Sequence, residues 1–188
     1  MDGSSTALQF PVAAPPGPRE TLAIAPGIRW LRMPLPFALD HINLWLLEDG
    51  AGWTIVDTGY ASAETKELWE RVFAEHLGGL PVTRVIVTHY HPDHIGLAGW
   101  LTERWQVPLW TSEKEWLYAR LLTGNADDSA ALRRDFALRA GLDAAASELF
   151  AEHSRGYRRG VPSVPSSFQR LSDGQLVEIG RASCRERV

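Results

Sequence analysis

One short segment constrains this chain more than any other: the run VTRVIVT (residues 82–88), which ends directly in His89-Tyr90-His91-Pro92-Asp93-His94. The run reads as a buried strand, and a buried strand needs covering layers on its faces. At its end the next six residues hold three of the chain's six histidines and an aspartate. In extended backbone, residues i and i+2 point to one side, so His89 and His91 can present two imidazoles to one metal ion while Tyr90 points away. Pro92 then bends the path, and Asp93 and His94 open the next helix, which swings a carboxylate and a third imidazole toward a second point nearby. Such nitrogen and oxygen donors suit zinc, and iron or manganese would accept the same set. By this chain's own residue frequencies, His-x-His-x-Asp-His arises by chance in roughly 3 of 10,000 such chains, so a metal site is favoured over a surface loop with accidental histidines.

The flanking pattern sets the fold class. Residues 28–35 and 41–48 (HINLWLLE) are strand-like, and Asp49-Gly50-Ala51-Gly52 connects tightly to a third strand, residues 53–57 (WTIVD). Ser62 is the expected N-cap of a helix running to Leu77, with Leu68, Trp69, Val72, Phe73 and Leu77 at helical spacing and Gly78-Gly79 as its stop. After the histidine cluster, residues 95–105 read as a second helix and 107–110 as a short strand. This alternation of strand and helix predicts an α/β layer architecture. Residues 113–154 read as a helical insert broken at TGNADD (residues 123–128) and at Gly141, and a final hairpin is expected between residues 168–170 and 176–178 around Ser172-Asp173-Gly174.

Composition narrows the function. With 188 residues, 45% hydrophobic and 22% charged, the chain can bury one sizeable core. A net charge of −4 disfavours nucleic acid and anionic membranes as partners, and no apolar run is long enough to span a bilayer. The start lacks a secretory signal, and a single cysteine, Cys184, closes no internal disulfide, which together predict a cytoplasmic protein. Residues 1–20, rich in Pro, Ala, Gly and Ser, read as a flexible leader or a segment lying loosely on the body. The tail, IGRASCRERV (residues 179–188), matches one reading frame of a common DNA-sequencing adapter, and few contacts with the body are expected of it.

The motif VIVTHYHPDHIG, preceded by WTIVDTG, resembles the metallo-β-lactamase superfamily of metal-dependent hydrolases, and within it the branch related to hydroxyacylglutathione hydrolase more than the secreted antibiotic-degrading enzymes. The resemblance covers roughly residues 28–178 and implies the N-terminal part of an αββα sandwich, with an incomplete domain over 21–178 and the helical insert at 113–154. Carried over by position, it implies that His89 and His91 hold a first metal, that Asp93 and His94 hold a second, and that Asp57, at the end of an early strand, lies under the site and hydrogen-bonds rather than ligates. It also implies a further histidine for each metal and a bridging aspartate, all downstream and none present in this sequence. The implied activity is hydrolysis of an ester, thioester, lactone or lactam bond in a small-molecule substrate by hydroxide held between two zinc ions, with Asp93 both ligand and proton acceptor. A fragment with two donors per ion is expected to be inactive alone. The alternative on the same frame is a nonhydrolytic iron-dependent oxidoreductase or dioxygenase, which metal identity would separate.

Other residues carry weaker expectations. His41, His76 and His153 read as noncatalytic, with His76 suited to a helix C-terminus and His153 a remote third-ligand candidate. Trp110 and Trp116 flank the start of the insert and are candidates to touch substrate. The insert itself can pack or serve as a lid that selects substrate.

Overall fold

The computed structural model describes residues 12–124, 126–180 and 182–185. Alternating apolar residues first build a meander. Strands β1 (Thr21–Ala25), β2 (Ile28–Pro34), β3 (His41–Asp49) and β4 (Gly52–Val56) pair antiparallel, each with its chain neighbour. Period-two alternation splits the side chains of β3 between faces: Leu44 and Leu46 enter the main core, and Leu47 enters a second cluster on the other side. Gly50, at φ 63°, supplies the left-handed turn between β3 and β4.

Helix α1 (Ala63–His76) begins at Ser62, whose hydroxyl accepts from the Thr65 amide at 3.0 Å. It buries Leu68, Trp69, Val72 and Phe73 on one face of the sheet. Strand β5 (Val82–Ile86) then lies parallel to β4. Helices α2 (Pro92–Ile95) and α3 (Ala98–Trp105) lead to β6 (Leu109–Ser112), which is parallel to β5. Helices α4 (Glu113–Thr123), α5 (Ala126–Arg139) and α6 (Ala144–Arg155) form the insert expected over residues 113–154, and α7 (Tyr157–Gly160) extends it past that bound before the chain returns to β7 (Gln169–Leu171), parallel to β6. The seven strands stand in the sheet in chain order. The main core lies between this sheet and α1, α3, α4 and α7; each fully buried side chain there, such as Leu46 or Ile55, contributes about 1.5–3 kcal/mol.

Strand β8 (Leu176–Ile179) pairs antiparallel with β9 (Ala182–Arg185) on the opposite face, where Val177 and Ile179 meet Leu47, Ile86 and Leu171. Two expectations are corrected here. The hairpin expected over residues 168–178 does not form: β7 joins the large sheet while β8 pairs with β9. The turn chemistry is present, with Gly174 at φ 73° and the Gln175 amide donating to the Ser172 carbonyl at 3.0 Å, but it carries the chain from one layer to the next. The tail also packs more than expected: Ile179 is 1% exposed, the Gly180 amide donates to Asp49 Oδ1 at 3.2 Å, and 182–185 pair with β8. Its inward-facing Ile179 continues the alternation begun by Val177, which extends the pairing.

Smaller differences have local causes. The helix expected over residues 95–105 is two helices interrupted at Gly96 and Leu97, and the strand expected at 107–110 sits at Leu109–Ser112. The break at TGNADD is shorter than read, because α5 begins at Ala126. β1, hidden by its proline-rich neighbourhood, was not distinguished from the sequence. Residues 1–11 of the expected leader lie outside the described residues; within 12–20, Pro16 is buried and the Arg19 carbonyl meets His76 Nε2 at 3.2 Å.

Candidate metal centre

The site begins where two parallel strands end side by side. Asp57 follows β4 and its amide donates to the Ile86 carbonyl at 2.9 Å, while Val87 donates to the Trp110 carbonyl and the chain then leaves the sheet. Asp57 is 5% exposed and holds φ 62°, a left-handed conformation that costs a non-glycine residue about 1–3 kcal/mol. The strain is held by a dense set of bonds. Asp57 Oδ1 accepts from the Thr88 amide at 2.8 Å, the Thr88 hydroxyl lies within 3.0 Å of both carboxylate oxygens, and Oδ2 faces His94 Nδ1 at 2.9 Å. Thr58 closes the far end of the loop, its amide and hydroxyl both donating to the His94 carbonyl at 2.7 Å.

This framework fixes ring orientations. The Thr88 hydroxyl donates to Asp57, so its oxygen is free to accept from His89 Nδ1 at 3.0 Å, which leaves His89 Nε2 as the nitrogen with the lone pair. The Asp57 carboxylate takes His94 Nδ1 in the same way and turns His94 Nε2 toward Asp93 Oδ2, 3.3 Å away. On the other side, His89 Nε2 lies 3.1 Å from His91 Nδ1. The His89 and His94 rings are 3.8 Å apart, centroid to centroid, so the two donor pairs adjoin.

The electrostatics follow from these contacts. Burial works against a charged His94, but its hydrogen bonds to Asp57 and Asp93 outweigh it and raise the imidazole to about 9. The same contact with His94 lowers the Asp93 carboxyl below its ordinary value despite burial. Burial, then the neighbouring His94 and His91, lower His89 and favour its neutral, metal-binding form.

The donor set can be tested against zinc. Two tetrahedral ligands at ~2.0–2.2 Å from one ion stand roughly 3.3–3.6 Å apart. The observed separations of 3.1 and 3.3 Å lie close to that for two such pairs, one of two imidazole nitrogens and one of nitrogen and carboxylate oxygen. Among the described residues, no group of three or more His, Cys, Asp and Glu is arranged to hold a single ion.

Close packing seals the loop from beneath. A Cβ on Gly96 would lie 2.4–2.5 Å from the carbonyl oxygens of Pro92, Gly160 and Gly59 at once. The helical insert reaches the loop through Tyr90: its amide donates to a Glu115 carboxylate oxygen at 2.8 Å, the Tyr157 hydroxyl donates to its carbonyl, and its ring stacks on Tyr118 at 5.3 Å. Thr88, Glu115 and Tyr157 were not singled out from the sequence. The one available signal was the spacing of Ser112 and Glu115, which matches a helix capping box.

The remaining candidates lie elsewhere. Trp110 packs in the second cluster under the Arg84 guanidinium, and Trp116 stacks on Phe168 at 4.7 Å with its Nε1 donating to the Pro165 carbonyl. Both rings make packing contacts. His41 pairs with Asp40 at the surface, His76 meets Arg19, and His153 lies on α6, its side chain outside the described residues.

The metallo-beta-lactamase superfamily model matches residues 38–175. A solved beta-lactamase domain protein from Burkholderia ambifaria is 44% identical with a TM-score of 0.74, covering 92% of this chain and 51% of its own. A metallo-beta-lactamase family protein from Thermus thermophilus is 26% identical with a TM-score of 0.67, covering 87% of this chain and 52% of its own. Two Bacillus subtilis (strain 168) proteins named "Probable metallo-hydrolase", YqjP and YflN, are 32% identical over 68 residues and 36% identical over 87. Those matches cover 36% and 46% of this chain and 21% and 31% of the two proteins, so the chain spans about half of the solved relatives and less of the curated ones. With its seven-stranded sheet, its strand-end histidine loop and a family match across most of its length, the chain belongs to the metallo-beta-lactamase superfamily.

Proposed function

We propose that this chain is part of a metal-dependent hydrolase that cleaves an ester, thioester, lactone or lactam bond in a small molecule at a centre of two zinc ions. His89 Nε2 and His91 Nδ1 would hold one ion, and Asp93 Oδ2 and His94 Nε2 the other. The observation that carries this reading is the spacing of the two donor pairs, 3.1 and 3.3 Å, which suits two ligands on one ion in each case. Bound zinc supplies Lewis acidity and activation of water near neutral pH. The protein's own part is positioning: Asp57 fixes the His94 ring, Thr88 fixes the His89 tautomer, and Asp93, kept ionised beside His94, is placed to accept a proton.

Each ion has two donors among the described residues, one fewer than the three protein ligands usual at a catalytic zinc. The 188-residue chain is therefore expected to hold zinc weakly and to hydrolyse a panel of small thioesters, lactones and β-lactams no faster than a metal-free control. The measurement is elemental analysis beside the hydrolysis panel. In a longer protein supplying further ligands, His91→Ala should lower hydrolysis more than about a hundredfold. In that longer protein, tightly held stoichiometric iron with no hydrolysis of the panel would overturn the hydrolase reading.

A further inference from the structure

Tyr90 is the residue between the two imidazoles of the first donor pair, and both of its backbone groups are taken by the helical insert. Its amide donates to Glu115 Oε2 at 2.8 Å, and its carbonyl accepts from the Tyr157 hydroxyl. Glu115 stands at the third position of α4, where a glutamate commonly reaches back to the amide of its own N-cap residue. Half of that capping box is present, since Ser112 Oγ accepts from the Glu115 amide at 3.3 Å, but the Glu115 carboxylate is turned to Tyr90 instead. Tyr157, 8% exposed, opens α7 at the other end of the insert. The Tyr90 ring completes the contact, 5.3 Å from Tyr118 and 6.3 Å from Tyr157. One residue's backbone is thus gripped from both ends of the insert.

We infer that Glu115 and Tyr157 are positioning residues for the metal centre, a clamp on the Tyr90 backbone that sets the separation of His89 Nε2 and His91 Nδ1; this rests on the two-metal reading above. Rotation of the 89–90 or 90–91 peptide would swing the two rings apart, and the clamp opposes both rotations. Its carboxylate-to-amide arm is charge-assisted, and so the stronger kind of hydrogen bond. The insert then acts on the metal centre through backbone geometry, in addition to any contact it makes with substrate.

The test uses the 188-residue chain with Zn²⁺ as probe, measured by direct calorimetric titration over concentrations that suit the weak binding expected of two donors per ion, beside hydrogen exchange of the metal-free protein. Glu115→Ala and Tyr157→Phe should each weaken zinc binding about tenfold, a size expected when support of a ligand is lost. Glu115→Gln, which keeps a carbonyl acceptor, should recover most of the affinity. In the metal-free variants, exchange should quicken over residues 88–92 while α1 and the strands stay protected, which also shows that the variants fold. Unchanged affinity in Glu115→Ala and Tyr157→Phe, with His91→Ala weakened, would overturn the clamp and leave the metal reading standing. Equal affinity of wild type and His91→Ala would overturn the metal reading and the clamp with it.

Discussion

Asp57 ties two parts of the site together, because one buried carboxylate holds both the start of the loop at Thr88 and the ring of His94. Asp57→Asn removes the charge while keeping the size, so His94 should titrate well below its value of about 9, which proton NMR of the imidazole can follow. The sign of the pH effect on stability follows from the same pair. His94 is raised in the folded state above its ordinary 6.5, so in metal-free protein its contribution is full below pH 6.5 and is lost as pH rises toward about 9. Asp93 is lowered from 3.8, so its contribution is present above that pH and fades in acid. Denaturation with urea and chelator present should show stability declining between pH 6.5 and 9 in wild type and declining less in Asp57→Asn. Gly96 gives a steric counterpart: Gly96→Ala forces a methyl against three carbonyl oxygens and should destabilise by about 1–3 kcal/mol in the same assay. The histidines themselves were legible in the sequence because their spacing is local. Glu115 and Tyr157 were not, since they meet Tyr90 across 25 and 67 residues and no period in the chain links them.

At the scale of elements, the end of β3 makes a tie that reaches across the chain. Asp49 accepts from the hydroxyls of Thr54 and Thr83 at 2.8 and 3.1 Å, pairs with Arg84 at 3.1 Å, and accepts from the Gly180 amide at 3.2 Å. It joins β3, β4 and β5 to the small sheet beyond. Asp49→Ala should cost about 1–3 kcal/mol and raise hydrogen exchange in β8 more than in β3. Most elements were readable beforehand, because α1 has a cap, a helical stripe and a glycine stop, and the meander alternates with period two. β7 and β8 were misassigned to one hairpin because a Ser-Asp-Gly turn has the same local chemistry whether it folds a strand back or passes it to another layer. Only the apolar partners decide, and Leu47 and Ile86, which receive Val177 and Ile179, lie far away in sequence.

Across the whole molecule, the large sheet divides two unlike environments. One face carries the main core beneath the helices, and the other carries the smaller cluster under β8. Among the described residues no helix is long and apolar enough to cross a membrane. The layer plan was legible from the alternation of strands and helices, whereas the contact of the tail with the body was not, because pairing at a sheet edge depends on backbone groups that any sequence carries. The strand order has a further consequence. From β1 to β7 it repeats the order of the chain, so during synthesis each strand emerges beside an edge already waiting for it. The histidine loop can be laid down and anchored by Asp57 while the insert is still unmade. Glu115 and Tyr157 come later, which makes their grip on Tyr90 a final lock on a site already outlined rather than the seed around which it forms.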